Sequence, residues 1–333
     1  MVAITYNISI FPDFEPIEHF DPTVDCRDPS SCEHVAWLFV SIDIFQFNYL
    51  APLFATIFDF LVQVINVGIL LKRKYLKNGP FFKILLIMST SVILRCLHNV
   101  VNYSCAAIFS VGSSTYKTSL RNAVYSDFFF SFFLVTLIFL MSLNRCLCFV
   151  SKDWNDLIFE EYHYLIPVFL SFSISLIATI ISIQSSKIKR VFQDSTGFID
   201  YSENLDGYNT MIVRMFYIFP IGSSICYIVL FRFMRRKSRM ALTSKNAGQK
   251  IFTQLLVTVI FYGLMCIFYE AVVSLDDFLD INQISKLISL LNIINNLPEI
   301  ALPFMLLISR LDLCKKSTKV QAISSTTASN IVR

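Results

Sequence analysis

Residues 125–150 read YSDFFFSFFLVTLIFLMSLNRCLCFV. The stretch exceeds the roughly 20 apolar residues that a helix needs to cross a bilayer, and its only charged residues are Asp127 and Arg145. A charge within a span costs roughly 2.5 to 3.5 kcal/mol at the helix centre, so both side chains are expected to face the interior of a helix bundle. They lie 18 residues apart, which is five turns of 3.6 residues, and therefore share one helix face about 27 Å apart. The stretch predicts a membrane-spanning helix with an acid near one end and a base near the other.

The rest of the chain repeats this apolar character. Of its 333 residues, 55% are hydrophobic and 16% are charged, and the mean hydropathy is +0.61, far from the near-even mix of soluble domains. We therefore predict an all-α fold, an integral membrane bundle of seven transmembrane helices. It would comprise an extracellular tail at 1–47, the bundle at 48–309 and a cytosolic tail at 310–333. The seven predicted spans are residues 49–71, 81–101, 125–150, 164–183, 211–233, 251–273 and 284–308.

The charges of the loops predict the orientation. Lysines and arginines concentrate in the loops on one side of the predicted bundle, and such residues are retained on the cytoplasmic side. This places the amino terminus outside and the carboxyl terminus in the cytosol. The run Asn7-Ile8-Ser9 is a sequon on the predicted outer side, so Asn7 is a candidate glycosylation site. The net charge of +4 then reflects topology and not nucleic-acid binding.

The sequence lacks the motifs that define several classes of protein. The sequence contains no nucleotide-binding glycine-rich loop, no metal-ligand cluster and no Ser/His/Asp arrangement. We therefore expect no enzyme, no catalytic residue, no metal and no cofactor. The two halves of the chain also lack the matching Gly- or Pro-interrupted spans that are typical of transporters. These absences favour a membrane protein that binds or signals over one that catalyses or transports.

Cysteines outside the span interiors are candidates for modification. Cys26 and Cys32 lie in the predicted outer tail, where oxidation is permitted, and they could pair with each other. Alternatively, one of them could pair with Cys105, near the outer end of the second span. Cys314 follows the seventh span and precedes two lysines, a setting suited to palmitoylation and contact with anionic lipid. An unmodified tail cysteine is the alternative.

The run Met141-Ser142-Leu143-Asn144-Arg145-Cys146 resembles the Asp-Arg-Tyr motif of rhodopsin-like G-protein-coupled receptors, with Asn144 in place of the acid. The resemblance extends over residues 49–316 and is nearest to the nematode chemosensory serpentine receptors of the Srx or Srxa type. It implies a multi-pass plasma-membrane receptor, in that family often of sensory-neuron cilia, that binds an external small molecule such as an odorant and activates a heterotrimeric G protein. The alternatives are a seven-transmembrane ligand-gated channel, similar to insect odorant receptors, and a membrane protein without G-protein coupling.

The changed motif affects the expected coupling site. In the family the acid restrains the arginine in the resting state, so its loss implies a looser resting state unless Asn144 supplies a hydrogen bond. Basic residues beside anionic lipid explain the loop arginines as well as a G protein does, so only Arg145 separates the two interpretations. The resemblance implies that coupling involves Asn144, Arg145, Cys146, Arg235 and Arg236.

Other positions match the family pattern more loosely. Asn66 resembles the asparagine of the first helix, Pro220 the proline of the fifth, and Pro303 that of the Asn-Pro-x-x-Tyr motif. Together with Pro298, these prolines are predicted helix kinks. Neither the outer end of the third span nor residues 184–209 contain a cysteine, so the disulfide usual in the family cannot form.

Alignment on Arg145 places Asp127 where the amine-binding aspartate of biogenic-amine receptors lies, and this resemblance implies a cationic ligand. We favour the alternative that Asp127 pairs with a base at the mouth of the span, such as Arg121 or Arg214, because buried charges are normally paired. The 33 phenylalanines suit a small apolar ligand. The predicted ligand pocket comprises Asp127, Arg214, Glu270 and Asn292.

A second set of polar residues is predicted inside the bundle. By family spacing, Arg95 lies near the position of the sodium-binding aspartate, and Glu299 lies one turn before Pro303. We expect Arg95 to replace the sodium ion and to be held by Glu299, because a planar guanidinium suits bidentate buried pairing. The cluster would be structural or a state-dependent latch, and a ligand-binding role for Arg95 is the alternative. Its predicted members are Asp59, Asn66, Arg95, Asn295 and Glu299.

Overall fold

The computed structural model describes residues 6–7, 51–72, 79–109, 113–193, 197–202, 204 and 207–238, together with single positions and short runs between 257 and 307. Within these residues the protein is a bundle of helices with one small sheet. The predictions for five residues fall outside the described ranges and stay predictions: Cys26, Cys32, Asn292, Asn295 and Cys314.

The elements with defined bounds follow the predicted order of spans. The helices are α1 (Ala51–Leu70), α2 (Pro80–Ile108), α3 (Ser114–Val150), α4 (Lys152–Phe159), α5 (Leu165–Ser186), α6 (Asn209–Phe216) and α7 (Ile218–Ser238). The strands are β1 (Tyr6–Asn7), β2 (Ile188–Gln193) and β3 (Gly197–Ser202). Further helical positions at 263–271, 297–301 and 303–305 fall within the sixth and seventh predicted spans.

Among the described residues, four helical stretches are long and apolar enough to cross a membrane. They correspond to the second, third, fourth and fifth predicted spans, and a shorter apolar helix, Phe54–Leu70, lies in the first. The chain is therefore a helical multi-pass membrane protein, as predicted. The four stretches are Pro80–Ala106, Ser114–Val150, Leu165–Ser186 and Asn209–Phe233.

The third span begins 11 residues earlier than predicted, at Ser114 instead of Tyr125. Ser113 caps the helix, because its hydroxyl accepts a hydrogen bond of 3.2 Å from the amide of Tyr116. The added turns bury Tyr116 and Leu120, one helical turn apart, whereas the charged residues Lys117 and Arg121 are exposed. Hydropathy did not predict these turns, because their charged and polar residues lower the mean hydropathy of the segment.

The fifth span is interrupted at Tyr217, between α6 and α7. Pro220 follows three residues later and has no amide hydrogen. Its ring also crowds the carbonyl of Phe216, four residues earlier, so the regular helical hydrogen bond cannot form there. The predicted irregularity at Pro220 therefore lies one turn before the proline itself.

Helix α3 lies at the centre of the described bundle. Its residues Leu134, Leu137 and Met141 are fully buried, and they belong to one core with the fully buried Ile84 and Leu85 of α2. In contrast, α1 and α5 each expose apolar side chains, as large as phenylalanine, along one face. Apolar exposed faces of membrane helices meet lipid chains, so α1 and α5 lie at the periphery.

The loop between α5 and α6 forms a β-hairpin that the sequence analysis did not predict. Lys187 adopts a left-handed conformation (φ 48°), which ends α5 and turns the chain into β2. Strands β2 and β3 pair antiparallel with Arg190 opposite Asp200, and β1, which contains Asn7, runs parallel to β3. We call this end of the bundle the hairpin end, and the opposite end, near Arg145, the arginine end.

The short helix α4, which follows α3 at the arginine end, was also not predicted. Its residue Phe159 is fully buried and joins the core that α2 and α3 form. Trp154, on the same helix, is 60% exposed. Phe159 thus anchors α4 in the core, and Ile158 packs beside it.

Candidate functional site

Arg145 is half-buried near the end of α3, and its guanidinium lies over an aromatic ring. Its Cζ is 3.9 Å from the centroid of Phe81 and 5.8 Å from that of Phe82. Its Nε is buried without a hydrogen-bond partner, and no carboxylate of the described residues forms an ion pair with it. The arginine is therefore held by rings of α2 and not by an acid.

Asn144, which stands in place of that acid, points toward α4. Its Nδ2 donates a hydrogen bond of 2.9 Å to Oδ1 of Asn155. The amide of Asn155 in turn donates to Asp156, its neighbour on α4, at 3.3 Å. The hydrogen bond expected from Asn144 to restrain the arginine instead connects α3 to α4.

Another residue of this motif connects α3 to α7. The hydroxyls of Ser142 on α3 and Tyr227 on α7 lie 3.0 Å apart. Arg235 and Arg236 belong to the last turns of α7, where the side chain of Arg236 is exposed. At the arginine end, Arg145 and its neighbours on α3 thus contact three other helices, α2, α4 and α7.

A buried ion pair lies in the middle of the bundle. Arg95 of α2 donates from Nη1 to Oε1 of Glu299 at 2.9 Å and from Nη2 to Oε2 at 2.5 Å. The second carboxylate, Asp59 of α1, lies 3.8 Å from Nη2 of Arg95, and its Oδ2 is buried without a hydrogen bond among the described residues. Glu299 therefore binds Arg95 in the bidentate geometry that was expected, and Asp59 is the weaker partner.

Two further polar residues of α1 extend this cluster. Gln63, which the sequence analysis missed, donates from Nε2 to Oδ1 of Asp59 and to the backbone carbonyl of Glu299, at 3.0 Å each. Asn66 instead donates to the hydroxyl of Ser89 on α2 at 2.8 Å, outside the ion pair. Gln63 thus bridges the first and seventh predicted spans, whereas Asn66 bridges α1 and α2.

Asp127 is occupied by a residue of the hairpin. Nη1 of Arg190 donates to Oδ2 of Asp127 at 2.6 Å, and Nδ2 of Asn99 on α2 donates to Oδ1 at 2.8 Å. The same guanidinium donates from Nε and Nη2 to both carboxylate oxygens of Asp200, at 2.6 and 2.7 Å. Asp127 is therefore paired with a base in the structure. That base is Arg190, and neither Arg121 nor Arg214.

The Arg190 cluster is almost fully removed from solvent. The side chains of Arg190 and Asp127 are 2% and 3% exposed. Burial alone would lower the pKa of the Arg190 guanidinium, but the carboxylates of Asp200 and Asp127 outweigh it and raise that pKa above its ordinary value. Arg190 is therefore a permanent cation inside the hairpin end.

A third ion pair, between Arg214 and Glu270, is exposed. Nε and Nη2 of Arg214 lie 3.1 and 3.0 Å from the carboxylate oxygens of Glu270, and the hydroxyl of Tyr217 donates to the same carboxylate at 3.1 Å. The two charged side chains are 54% and 36% exposed. Of the predicted pocket residues, this pair alone is accessible in the described structure, because Asp127 is covered.

The remaining predicted positions are placed as follows. Pro298 and Pro303 are buried at helical positions of the seventh predicted span. Cys105 is a partly buried thiol with no disulfide partner among the described residues. Asn7 lies in β1. Their proposed roles as kinks, disulfide partner and glycosylation site stay predictions.

Residues 49–321 match the family model described as serpentine type 7TM GPCR chemoreceptor Srv. The chain belongs to this family. Srv receptors are a nematode chemoreceptor family, which is a non-enzyme class of multi-pass membrane protein. The predicted receptor class is therefore confirmed, and the assignment to the Srx or Srxa type stays a prediction. No curated protein matches the chain.

In this Srv receptor, the partners that come from loops and helix ends were not predicted from the sequence. Asp200 could have been found, because two short runs that contain β-branched and aromatic residues flank the turn-forming run Asp194-Ser195-Thr196-Gly197, a signature of a hairpin. Such a hairpin can place Arg190 opposite Asp200. The contact of that pair with Asp127 has no local sequence signature, because 63 residues separate Arg190 from Asp127.

Proposed function

We propose that this Srv chemoreceptor is coupled to a heterotrimeric G protein, which binds at the arginine end when an external small molecule binds at the hairpin end. The amino terminus would be extracellular, consistent with the loop charges. The observation that carries the proposal is Arg145, a half-buried cation near the end of α3 that lacks an acidic partner among the described residues. Such a residue is available to bind the carboxyl-terminal helix of a G-protein α subunit.

Coupling then operates as a population shift between two arrangements of the bundle. In the described arrangement Arg145 is half-buried over Phe81, and such a cation–π contact contributes about 0.5 to 2 kcal/mol. A ligand shifts the equilibrium only through tighter binding to the other arrangement. A restraint this weak lets a ligand of moderate selectivity release the arginine.

The lining of the hairpin end suits a small apolar ligand. Phe128 and Phe132 of α3 pack with Val213 of α6 and Tyr269 in one apolar core, and Phe216 lies beside it. The rings of Phe132 and Phe216 are 4.3 Å apart. A ligand pocket formed among such residues would take apolar molecules and need few polar groups for orientation. We propose that Arg214 and Glu270 supply those groups, with Asn292 as a further candidate.

The proposal is tested by expressing the full chain in cells with a second-messenger readout and screening volatile and lipid-like compounds. A compound that activates the native receptor should fail to do so with Arg145→Ala at equal surface expression. Arg121→Ala is the matched control, because Arg121 is an exposed arginine of the same helix at the hairpin end. A full response from Arg145→Ala, or a ligand-gated current without a G protein, would contradict the proposed coupling.

A further inference from the structure

The hairpin crosses the end of the bundle, where Ile188 and Phe198 pack among apolar residues of α3, and the polar contacts described here attach it at two places. At its base, the hydroxyl of Ser202 donates to the carbonyl of Ser186, the last residue of α5, at 2.6 Å. Nδ2 of Asn204 donates to the carbonyl of Ser185 at 2.9 Å. These contacts hold the hairpin to α5, the helix from which it emerges. They do not hold it to α3.

The second attachment is Arg190, which binds α3 directly. Its guanidinium uses one nitrogen for Asp127 of α3 and two for Asp200 of β3, and its Cζ lies 5.1 Å from the ring centroid of Phe198. Lysine could not replace it, because a compact ammonium lacks the planar fork that reaches two carboxylates at once. Arg190 thus forms a buried ion pair with Asp127 that joins the hairpin to α3, and a second one with Asp200 inside the hairpin.

Both oxygens of the Asp127 carboxylate are already bound. One accepts from Asn99 and the other from Arg190, and the side chain is 3% exposed. An external amine could reach this carboxylate only by displacing Arg190 from a contact of 2.6 Å between buried charges. A buried charge that loses its partner is strongly destabilising, so this displacement is unfavourable.

We propose that Arg190 is a built-in cation that occupies Asp127 and fastens the hairpin across the end of the bundle. The contact is a charged, non-covalent tether between the loop and α3, added to the apolar packing of Ile188 and Phe198, in a segment, residues 184–209, that contains no cysteine. It also determines ligand specificity, because it closes the third-helix carboxylate to cationic ligands. The proposal concerns binding and local stability and holds whether or not the chain couples to a G protein.

The tether is tested by amide hydrogen exchange on the purified full-length receptor in lipid nanodiscs. With Arg190→Gln, exchange in β2 and β3 should become at least about tenfold faster, because breaking a buried pair releases the segment that it holds. Exchange in the centre of α3 should not change. Arg190→Lys, a milder variant, should give an intermediate effect. Unchanged exchange in the hairpin, or equal acceleration throughout the bundle, would overturn the proposal.

A double-variant comparison shows whether Arg190 acts through Asp127. Asp127→Asn should also accelerate exchange in the hairpin, and Arg190→Gln should add much less in that background than it does alone. Multiplicative effects of the two substitutions would contradict a direct pair. Arg214→Gln and Glu270→Gln are the matched controls, because they break a bidentate but exposed ion pair and should leave hairpin exchange unchanged.

The occupancy of Asp127 is tested with 2-phenylethylamine as the probe. At millimolar concentration this amine should not raise the thermal unfolding temperature of the native receptor. A rise that is present in the native receptor and absent from Asp127→Asn would show that the carboxylate is free for cations, and would overturn the proposal.

Discussion

Single residues decide how tightly the resting receptor is held at the arginine end. Arg145 lies over Phe81, while Asn144 bonds to Asn155 and contributes nothing to the arginine. An aromatic ring restrains a cation less than a buried carboxylate does. A carboxylate also fixes the direction of the guanidinium N–H groups through hydrogen bonds, whereas a ring does not. The resting state therefore depends on packing between α2 and α3.

Phe81→Leu should raise signalling in the absence of ligand. The contact contributes about 0.5 to 2 kcal/mol to the resting arrangement, so its loss should increase the active population by about twofold to thirtyfold. Basal second messenger per receptor at the cell surface measures this. Phe82→Leu is the graded comparison, because the ring of Phe82 lies farther from Arg145, at 5.8 Å, and should have a smaller effect. Equal basal activity in both variants and the native receptor would refute an aromatic restraint.

Glu299→Gln should destabilise the receptor far more than Asp59→Asn. Removing Glu299 leaves Arg95 with a carboxylate 3.8 Å away, at a cost of about 3 to 5 kcal/mol for a broken buried pair. One oxygen of the Asp59 carboxylate is buried without a described hydrogen bond, so replacement of this carboxylate by a neutral amide should be tolerated. Surface expression and the unfolding temperature of the purified protein report the difference. Unchanged expression and signalling with Glu299→Gln would exclude a latch at this pair.

At this scale, buried charges within the spans could be paired from the sequence. Glu299 was predicted as the partner of Arg95 because the family resemblance places Arg95 near the sodium site and Glu299 one turn before Pro303, and a planar guanidinium suits bidentate buried pairing. Arg190 was not predicted as the partner of Asp127, because it lies in a loop whose position relative to α3 follows only from tertiary packing. Gln63 was overlooked since an uncharged amide in a span raises no comparable demand for a partner.

Helices and strands differ in how far hydropathy predicts them. The long spans were found, and their errors lie at the ends, where the first turns of α3 carry charged residues on an exposed face. The short elements were missed, because α4 and the hairpin are too short and too polar to give a hydropathy peak. Their positions depend on a few anchors, such as Phe159 for α4 and Arg190 for the hairpin.

Phe159→Ala should detach α4 from the bundle. Truncation of a fully buried phenylalanine costs about 3 to 5 kcal/mol, and here that contact is the main attachment of a short helix. Amide exchange of residues 152–159 should become much faster, while exchange in the centre of α3 stays slow. Trp154→Ala, a truncation of an exposed side chain on the same helix, should change little. If the amides of residues 152–159 exchange equally fast in both variants, Phe159 does not anchor α4.

The whole molecule is asymmetric between its two ends, and this asymmetry predicts its orientation. Asn7 belongs to β1, which pairs with β3 at the hairpin end, whereas Arg145 and the basic end of α7 lie at the opposite end. If basic loops face the cytosol, the hairpin end must face outward.

Asn7→Gln should therefore remove a glycan from the receptor when it is expressed in animal cells. The native chain should migrate faster on a gel after treatment with a glycosidase that removes N-linked glycans, and the variant should already migrate at that position. Ser9→Ala, which destroys the sequon but keeps Asn7, should behave like the variant. Labelling of the amino-terminal tail from the cytosolic side would reverse the orientation.

The Arg190 cluster also constrains how this receptor can diverge. Positions 127, 190 and 200 come from three separate elements but share one buried cation. Loss of the arginine leaves two buried carboxylates without a cation, and loss of Asp127 removes the ion pair to α3, so an evolving lineage must cross a poorly folded intermediate unless a second change arises with it. Among descendants of a common ancestor, we expect these three positions to covary, and a loss of the arginine to coincide with neutral residues at both acidic positions.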